Sequence, residues 1–185
     1  MAPVIDGSFS VAEWPGQALI QFQTENNPAR LVQIYYRRDA SKMYWAFLIN
    51  DDTADPEDSL RIYFDTTNNG GDPDSADRFF QIGRDGSVQV RNGISSNSDG
   101  QNWTPVNPSG NWTATFGNSG NQWVVELEVD VVAEMGGINN PFGLMLQVLY
   151  AGTNGGNADF VSWPNNDANS NNANTWQDVA DAICP

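Results

Sequence analysis

Apolar positions along this chain recur mostly at every second residue, the period of a strand and not of a helix. SLRIYF (59–64) sends Leu60, Ile62 and Phe64 to one face and Ser59, Arg61 and Tyr63 to the other. QWVVELEVD (122–130) alternates more cleanly, with Trp123, Val125, Leu127 and Val129 on one side and Glu126, Glu128 and Asp130 on the other. That pattern predicts a half-buried antiparallel strand with a solvent face. MYWAFLI (43–49) and FGLMLQVLY (142–150) are apolar on both faces and predict central strands. LVQIYYR, RFFQI and SVQVR are further strand candidates. Turn signals stand between them: RDAS, DDTADPED, NNGGDPD, RDG, NSDG, NPSG, NSG, NNP and TNGGN. The single predicted helix is short, VVAEM at 131–135, directly after a strand.

Many short strands with a turn at each step predict an all-β fold, an antiparallel β-sandwich of jelly-roll-like type with at most one short helix. An eight-stranded barrel is the alternative. The length suits one domain over residues 1–185. Residues 92–121 are rich in Asn, Ser and Gly and read as a long excursion or a hairpin; they hold two Asn-Trp-Thr sequons, at Asn102 and Asn111. NNDANSNNANT (165–175) must be a loop, and Trp163 and Trp176 flank it.

Composition narrows the function. The net charge is −15, from 8 Lys+Arg against 23 Asp+Glu, which disfavours nucleic acid and anionic membranes as partners. A neutral sugar or a cation suits the chain better. Histidine is absent, which removes the usual general base and the usual zinc and haem ligand. The lone cysteine, Cys184, allows no disulfide framework within the chain. No apolar run is long enough to span a bilayer, and MAPVIDG lacks the features of a signal peptide, so Met1-Ala2 reads as an expression start on a mature domain.

DTTNNGGDPDSADRFF (65–80) collects more oxygen-bearing side chains than a turn needs. Asp65, Asn68, Asp72, Asp74 and Asp77 offer the hard oxygen donors that Ca²⁺ takes in groups of six to eight. Gly70 and Gly71 let the backbone close tightly, and a divalent ion offsets the repulsion between the carboxylates. The spacing is not that of an EF-hand. Asp51, Asp52 and Asp55 in the preceding loop are within sequence reach of the same ion or a second one. The rival reading is a solvated acidic turn.

Several stretches in order resemble the family 9 carbohydrate-binding modules and the wider DOMON-like β-sandwich group. They are IDGSFSVAEW with Glu13-Trp14, the aromatic strand MYWAFLINDD, Asp58-Ser59 leading into SLRIYFD, WVVELEVD followed by VVAEM, and FGLMLQVLY followed by SWPNNDANSNNANTWQDV. The likeness spans nearly the whole chain. It implies an antiparallel sandwich holding Ca²⁺ in acidic loops, and a secreted, non-catalytic module that binds a poly- or oligosaccharide, with other domains of a larger secreted protein as further partners. In sugar-binding members two tryptophans clamp a terminal sugar ring. Trp176 resembles the second of them, with Asn166, Asp167 and Asn174 as the polar surround. The first belongs just before Asp58, where this chain has Asp55-Pro56-Glu57; Trp163, Trp103 or Trp112 are the available substitutes. Trp14, Trp45 and Trp123 are expected in the core.

Three rival functions have weaker support. Glu126 and Glu128 share a strand face at a separation near that of glycosidase carboxylates, but a solvated face explains them. Some DOMON-like relatives bind haem through Met with His or Lys; here His is absent, and adjacent Lys42 and Met43 point to opposite faces, leaving Met135 or Met145 with a lysine. A structural adhesion or matrix module, using Ca²⁺ for rigidity and no sugar, is favoured by the missing clamp tryptophan.

Overall fold

A computed structural model describes residues 2–23, 30–51, 53–95, 102–119, 121–154 and 157–180. Two antiparallel sheets face each other across a buried apolar layer. The first has the order β1-β2-β3-β9-β8 and the second β11-β10-β4-β5-β6-β7, with β12 paired to β10. The strands are β1 Ile20–Gln23, β2 Leu31–Arg38, β3 Lys42–Asn50, β4 Ser59–Asp65, β5 Arg78–Gly83, β6 Val88–Gly93, β7 Trp103–Val106, β8 Trp112–Ser119, β9 Gln122–Asp130, β10 Phe142–Asn154, β11 Asn157–Trp163 and β12 Gln177–Val179. Cys184, Asp52 and the NSDG turn lie outside the described residues.

The runs apolar on both faces are β3 and β10, and each is flanked by strands on both edges. Their double burial explains the loss of alternation. Helix α1, Val131–Met135, forms where expected: Asp130 Oδ1 accepts the amides of Val132 and Ala133, and Gly136 closes it in the left-handed conformation. The Asn/Ser/Gly-rich stretch is neither excursion nor hairpin. Its β7 ends the second sheet and its β8 ends the first, so the chain crosses between layers there. The main core joins the inner faces of both sheets and includes Trp45, Trp112 and Trp123.

Both outer faces are partly covered, and this corrects the reading of β9. Glu126 does not face water; it is fully buried. The segment before β1 lies over it. Glu126 Oε1 accepts Trp14 Nε1 at 2.8 Å, and Oε2 accepts the amides of Asp6 and Gly7, each at 2.9 Å. Trp14 packs with Tyr44 and Ala46 of β3 in a small cluster, with Ile5, Phe9 and Tyr35 at its margin. Gly7 is required here: its φ is +81°, and an added Cβ would sit 2.7 Å from Phe116 O. The IDGSFSVAEW motif is thus a cover held on a buried carboxylate. Glu128, two residues on, instead pairs with Lys42.

Candidate functional site

The outer face of the second sheet is built in rows, because antiparallel register sets side chains of neighbouring strands side by side. One row runs Met145, Tyr63, Phe79 and Arg91. The next runs Ser162, Gln147, Arg61, Gln81 and Gln89. The first row is roofed from Met145 to Phe79, leaving Arg91 half-exposed. Tyr63, Phe79, Trp103, Met145, Ala173 and Trp176 form a second buried cluster on this face. The roof is the loop 165–176, and three successive carbonyls hold it down. Asn169 O accepts Trp176 Nε1 at 2.8 Å, Ser170 O accepts Trp103 Nε1 at 2.9 Å, and Asn171 O accepts Asn102 Nδ2 at 3.2 Å.

Trp103 and Trp176 stack with centroids 6.4 Å apart and planes 9° from parallel. Trp176 is 7% exposed and Trp103 is 8% exposed. Of the substitutes considered for the first clamp ring, Trp103 is therefore the one that stands beside Trp176. Trp112 packs edge-on against Phe80 in the main core. Trp163 is half-buried against that core, on the opposite face of the sheet from Trp176. Asn166 is exposed and its Oδ1 accepts the Ser162 amide, so it ends the second row. Asp167 is exposed on the loop.

A groove of about 390 Å³ opens on the far side of the roof, lined by Asn68, Asn69, Gly70, Ala173, Asn174, Trp176, Gln177 and Asp178. Here the two polar loops meet, and Gly71 O accepts the Ala173 amide at 2.7 Å. Gly70, at φ +64°, has the Asn174 side chain against the place where a Cβ would be, so it is Gly70 that admits the neighbouring loop. Sequence reasoning placed Asn174 and Trp176 in a site but missed Asn69, Gln177 and the row through Arg61 and Gln147. The signal was present: Arg61 is a cation on the second face of SLRIYF, and Gln147 is the lone polar residue of FGLMLQVLY.

In the acidic loop the carboxylates are engaged locally. Asp65 Oδ1 accepts the Asn69 amide at 3.2 Å, and its Oδ2 accepts the Gly70 amide at 2.9 Å. Asp74 accepts the Ala76 amide and Asn69 Nδ2. Asp77 Oδ2 accepts the Asp74 amide at 2.8 Å, while its Oδ1 is buried with no donor. Burial pushes the Asp77 carboxyl up to about 7; the Asp74 and Thr66 backbone amides oppose this and the Asp65 and Asp74 charges add to it. Asp72 is exposed and Asn68 half-buried. Among the described residues no three carboxylates converge on a point where one ion would touch them all.

Asp51 belongs to a different cluster, at the end of the sandwich. Arg84 pairs with both Asp51 and Asp58 there, and its Nε donates to Asn118 Oδ1 at 3.0 Å. Asp58 Oδ1 accepts the Ala151 amide at 2.8 Å. This knot joins the end of β3 and β8 in one sheet to the flanks of β4 and β5 in the other. Burial raises Asp58 to about 7, with the neighbouring Asp51 adding to the shift. Burial acts on Asp51 as well, but hydrogen bonds from Asp58 and Thr53 hold it below the usual range. The close pair around a single guanidinium thus has its two carboxyls pushed in opposite directions, as coupled acids are. Haem ligation by lysine and methionine has no geometric basis: Lys42 reaches Glu128 outside the first sheet, whereas Met145 lies under the roof of the second and Met43 and Met135 are in the main core.

No protein-family model matches the chain, and no curated protein matches it by sequence. Among solved structures, the fold is similar to a family 9 carbohydrate-binding module from Caldicellulosiruptor kristjanssonii in complex with glucose. The TM-score is 0.63 at 16% identity, covering 100% of this chain and 96% of that one. A structure of such a module from the same organism in complex with cellotriose gives 0.62 at 14% identity, covering 100% and 95%. The chain is an all-β antiparallel sandwich resembling the family 9 modules over its whole length.

Proposed function

We propose that this protein is a secreted, non-catalytic carbohydrate-binding module whose saccharide lies on the outer face of the second sheet, along the Ser162–Gln89 row and the groove beside Trp176. One observation carries the reading: a row of amides and a guanidinium, half-exposed or exposed from β10 to β6 and ending on the buried Ser162 hydroxyl of β11, crosses five neighbouring strands at the edge of an aromatic cluster. Sugars need such a surface, with oriented polar groups for hydroxyls and apolar area for C–H faces. Gln147 and Arg61 are already fixed on each other at 3.2 Å, and Gln147 Nε2 donates to Ser162 Oγ at 3.2 Å. The similarity in fold to sugar-bound modules supports the reading. Affinity electrophoresis through gels containing polysaccharides tests it. The expected result is retardation by at least one polysaccharide, reduced in Gln147→Ala and in Asn174→Ala at unchanged melting temperature.

The same proposal includes Ca²⁺ in the 65–77 loop as a stabiliser. Its support is the orphaned Asp77 Oδ1, buried close to the Asp65 and Asp74 charges. Asp77 would hold the ion, sharing it with at most one of Asp65 and Asp74, with Asn68 and Asp72 at the loop surface. A module without sugar binding is the second reading. The closed Trp103–Trp176 pair favours it, since that pair serves as a roof and not as an open clamp.

A further inference from the structure

The chain has few cations, and most of those described are committed. Arg84 lies between Asp51 and Asp58, Lys42 on Glu128 and Arg30 on Asp159. Arg78 donates to the carbonyls of Ser75, Ala76, Asp77 and Glu134. Arg61 and Arg91 differ. Both stand half-buried on the outer face of the second sheet, two strands apart, and neither forms an ion pair with a described carboxylate. Their side-chain acceptors are neutral amides: Gln147 Oε1 for Arg61 at 3.2 Å and Gln89 Oε1 for Arg91 at 3.0 Å. The Nε of each is buried with no acceptor. Rings hold them from below or beside, Phe160 5.8 Å from the Arg61 guanidinium and Phe79 5.5 Å from that of Arg91.

Among the described residues, none in register with these two arginines carries a counter-charge. Residues in register with these two are Gln147, Gln81, Phe79 and Pro105, and further along the rows Ser162, Gln89, Tyr63 and Met145. Of the described acids near this face, Asp65 and Asp178 lie at its far end by the groove, and Asp167 is exposed on the roofing loop next to Asn166. In a chain of net charge −15, the middle of this face thus carries two guanidinium groups with no described carboxylate paired to them. A guanidinium has five donors in a planar fork that fits a carboxylate or a sulfate better than a hydroxyl.

Resting on the sugar-binding reading above, we propose that the saccharide taken on this face is acidic, bearing uronate carboxylates or sulfate esters, and that Arg61 and Arg91 read those groups. Strands two apart in a sheet are separated by about 10 Å, so the two arginines address acidic groups on different residues of one oligosaccharide. The flanking glutamines then serve the hydroxyls of the same chain.

Isothermal titration with three matched ligands tests this: an oligouronate, its carboxyl-reduced neutral counterpart, and a sulfated neutral oligosaccharide of the same length. Each is titrated at low and high salt into the wild type, Arg61→Gln and Arg91→Gln, with melting temperatures measured alongside. The expected result is binding of the oligouronate or the sulfated ligand about 10- to 100-fold tighter than the neutral one, as charge-assisted hydrogen bonds imply. That preference falls at high salt and collapses in Arg61→Gln. The two acidic arms show which anion is read. Equal or tighter binding of neutral ligands, or an acidic preference unchanged in both arginine variants, overturns the proposal while leaving sugar binding intact. Silence for all three ligands and for neutral glucose and cellotriose overturns both.

Discussion

Trp103 and Trp176 face each other with planes 9° from parallel and centroids 6.4 Å apart. A pyranose between two indoles needs a van der Waals gap of about 3.5–4 Å on each side, roughly 7–8 Å in all. The pair as it stands admits no sugar ring. It instead packs on Tyr63, at 5.6 Å from Trp103 and 5.9 Å from Trp176, and secures the loop 165–176 over the sheet. Replacing Trp176 by Ala is therefore expected to destabilise by about 3–5 kcal/mol, as large-to-small aromatic changes in cores do. Trp176→Phe keeps much of the buried area and loses only the bond to Asn169 O, at about 1 kcal/mol. Urea unfolding of both variants checks the ordering. Equal, small losses would show the indole to be a surface group.

The Glu126 carboxylate is the clasp for the N-terminal cover. Glu126→Ala leaves Trp14 Nε1 and two amides without an acceptor, and is expected to cost about 3–5 kcal/mol. Glu126→Gln retains one acceptor oxygen and is expected to cost less. Limited proteolysis of the Gln variant should cut within residues 2–19 before the sheets unfold.

The Asp51–Arg84–Asp58 knot sets a pH dependence. Asp58 binds its proton more tightly folded, at about 7, than an unfolded carboxyl at about 3.9. Its contribution is therefore full at low pH and is lost as pH rises toward 7. Asp77 acts in the same direction. Melting temperature measured with chelator is expected to fall between about pH 4.5 and 7.5, by about 2–4 °C for each kcal/mol lost. Asp58→Asn, whose amide oxygen can still accept from Ala151, is expected to flatten that slope. A melting temperature that rises through this window contradicts the assignment.

Asp77 also gives the calcium proposal its readout. Millimolar Ca²⁺ against chelator at neutral pH is expected to raise the melting temperature, with about 2.7 kcal/mol gained at a hundredfold excess over Kd. Asp77→Asn is expected to abolish the response. An unchanged midpoint in the wild type removes Ca²⁺ from the account.

The strands legible in the sequence were those with a buried inner face. The pattern gave 122–130 and 131–135 with the observed bounds, and β3, β4 and β10 to within a few residues. β8 and β11 were illegible because WTATFGNS and NADFVSW mix small polar residues into edge strands, where only one side is paired. Glu126 was misread because alternation reports which side of a strand a residue occupies, not whether another segment covers that side. The row through Arg61, Gln81 and Gln147 depends on register between strands far apart in sequence, which period-two reasoning does not supply.

Isothermal titration of neutral and acidic oligosaccharides into the wild type and Gln147→Ala addresses carbohydrate binding on the second sheet most directly. Gln147 holds Arg61 and Ser162 in the open row and stands outside the buried clusters, so its truncation should leave the fold intact. The account predicts saturable binding to at least one saccharide, weakened about tenfold or more in the variant at an unchanged melting temperature. Absence of binding to every saccharide, or full affinity in Gln147→Ala, would contradict it.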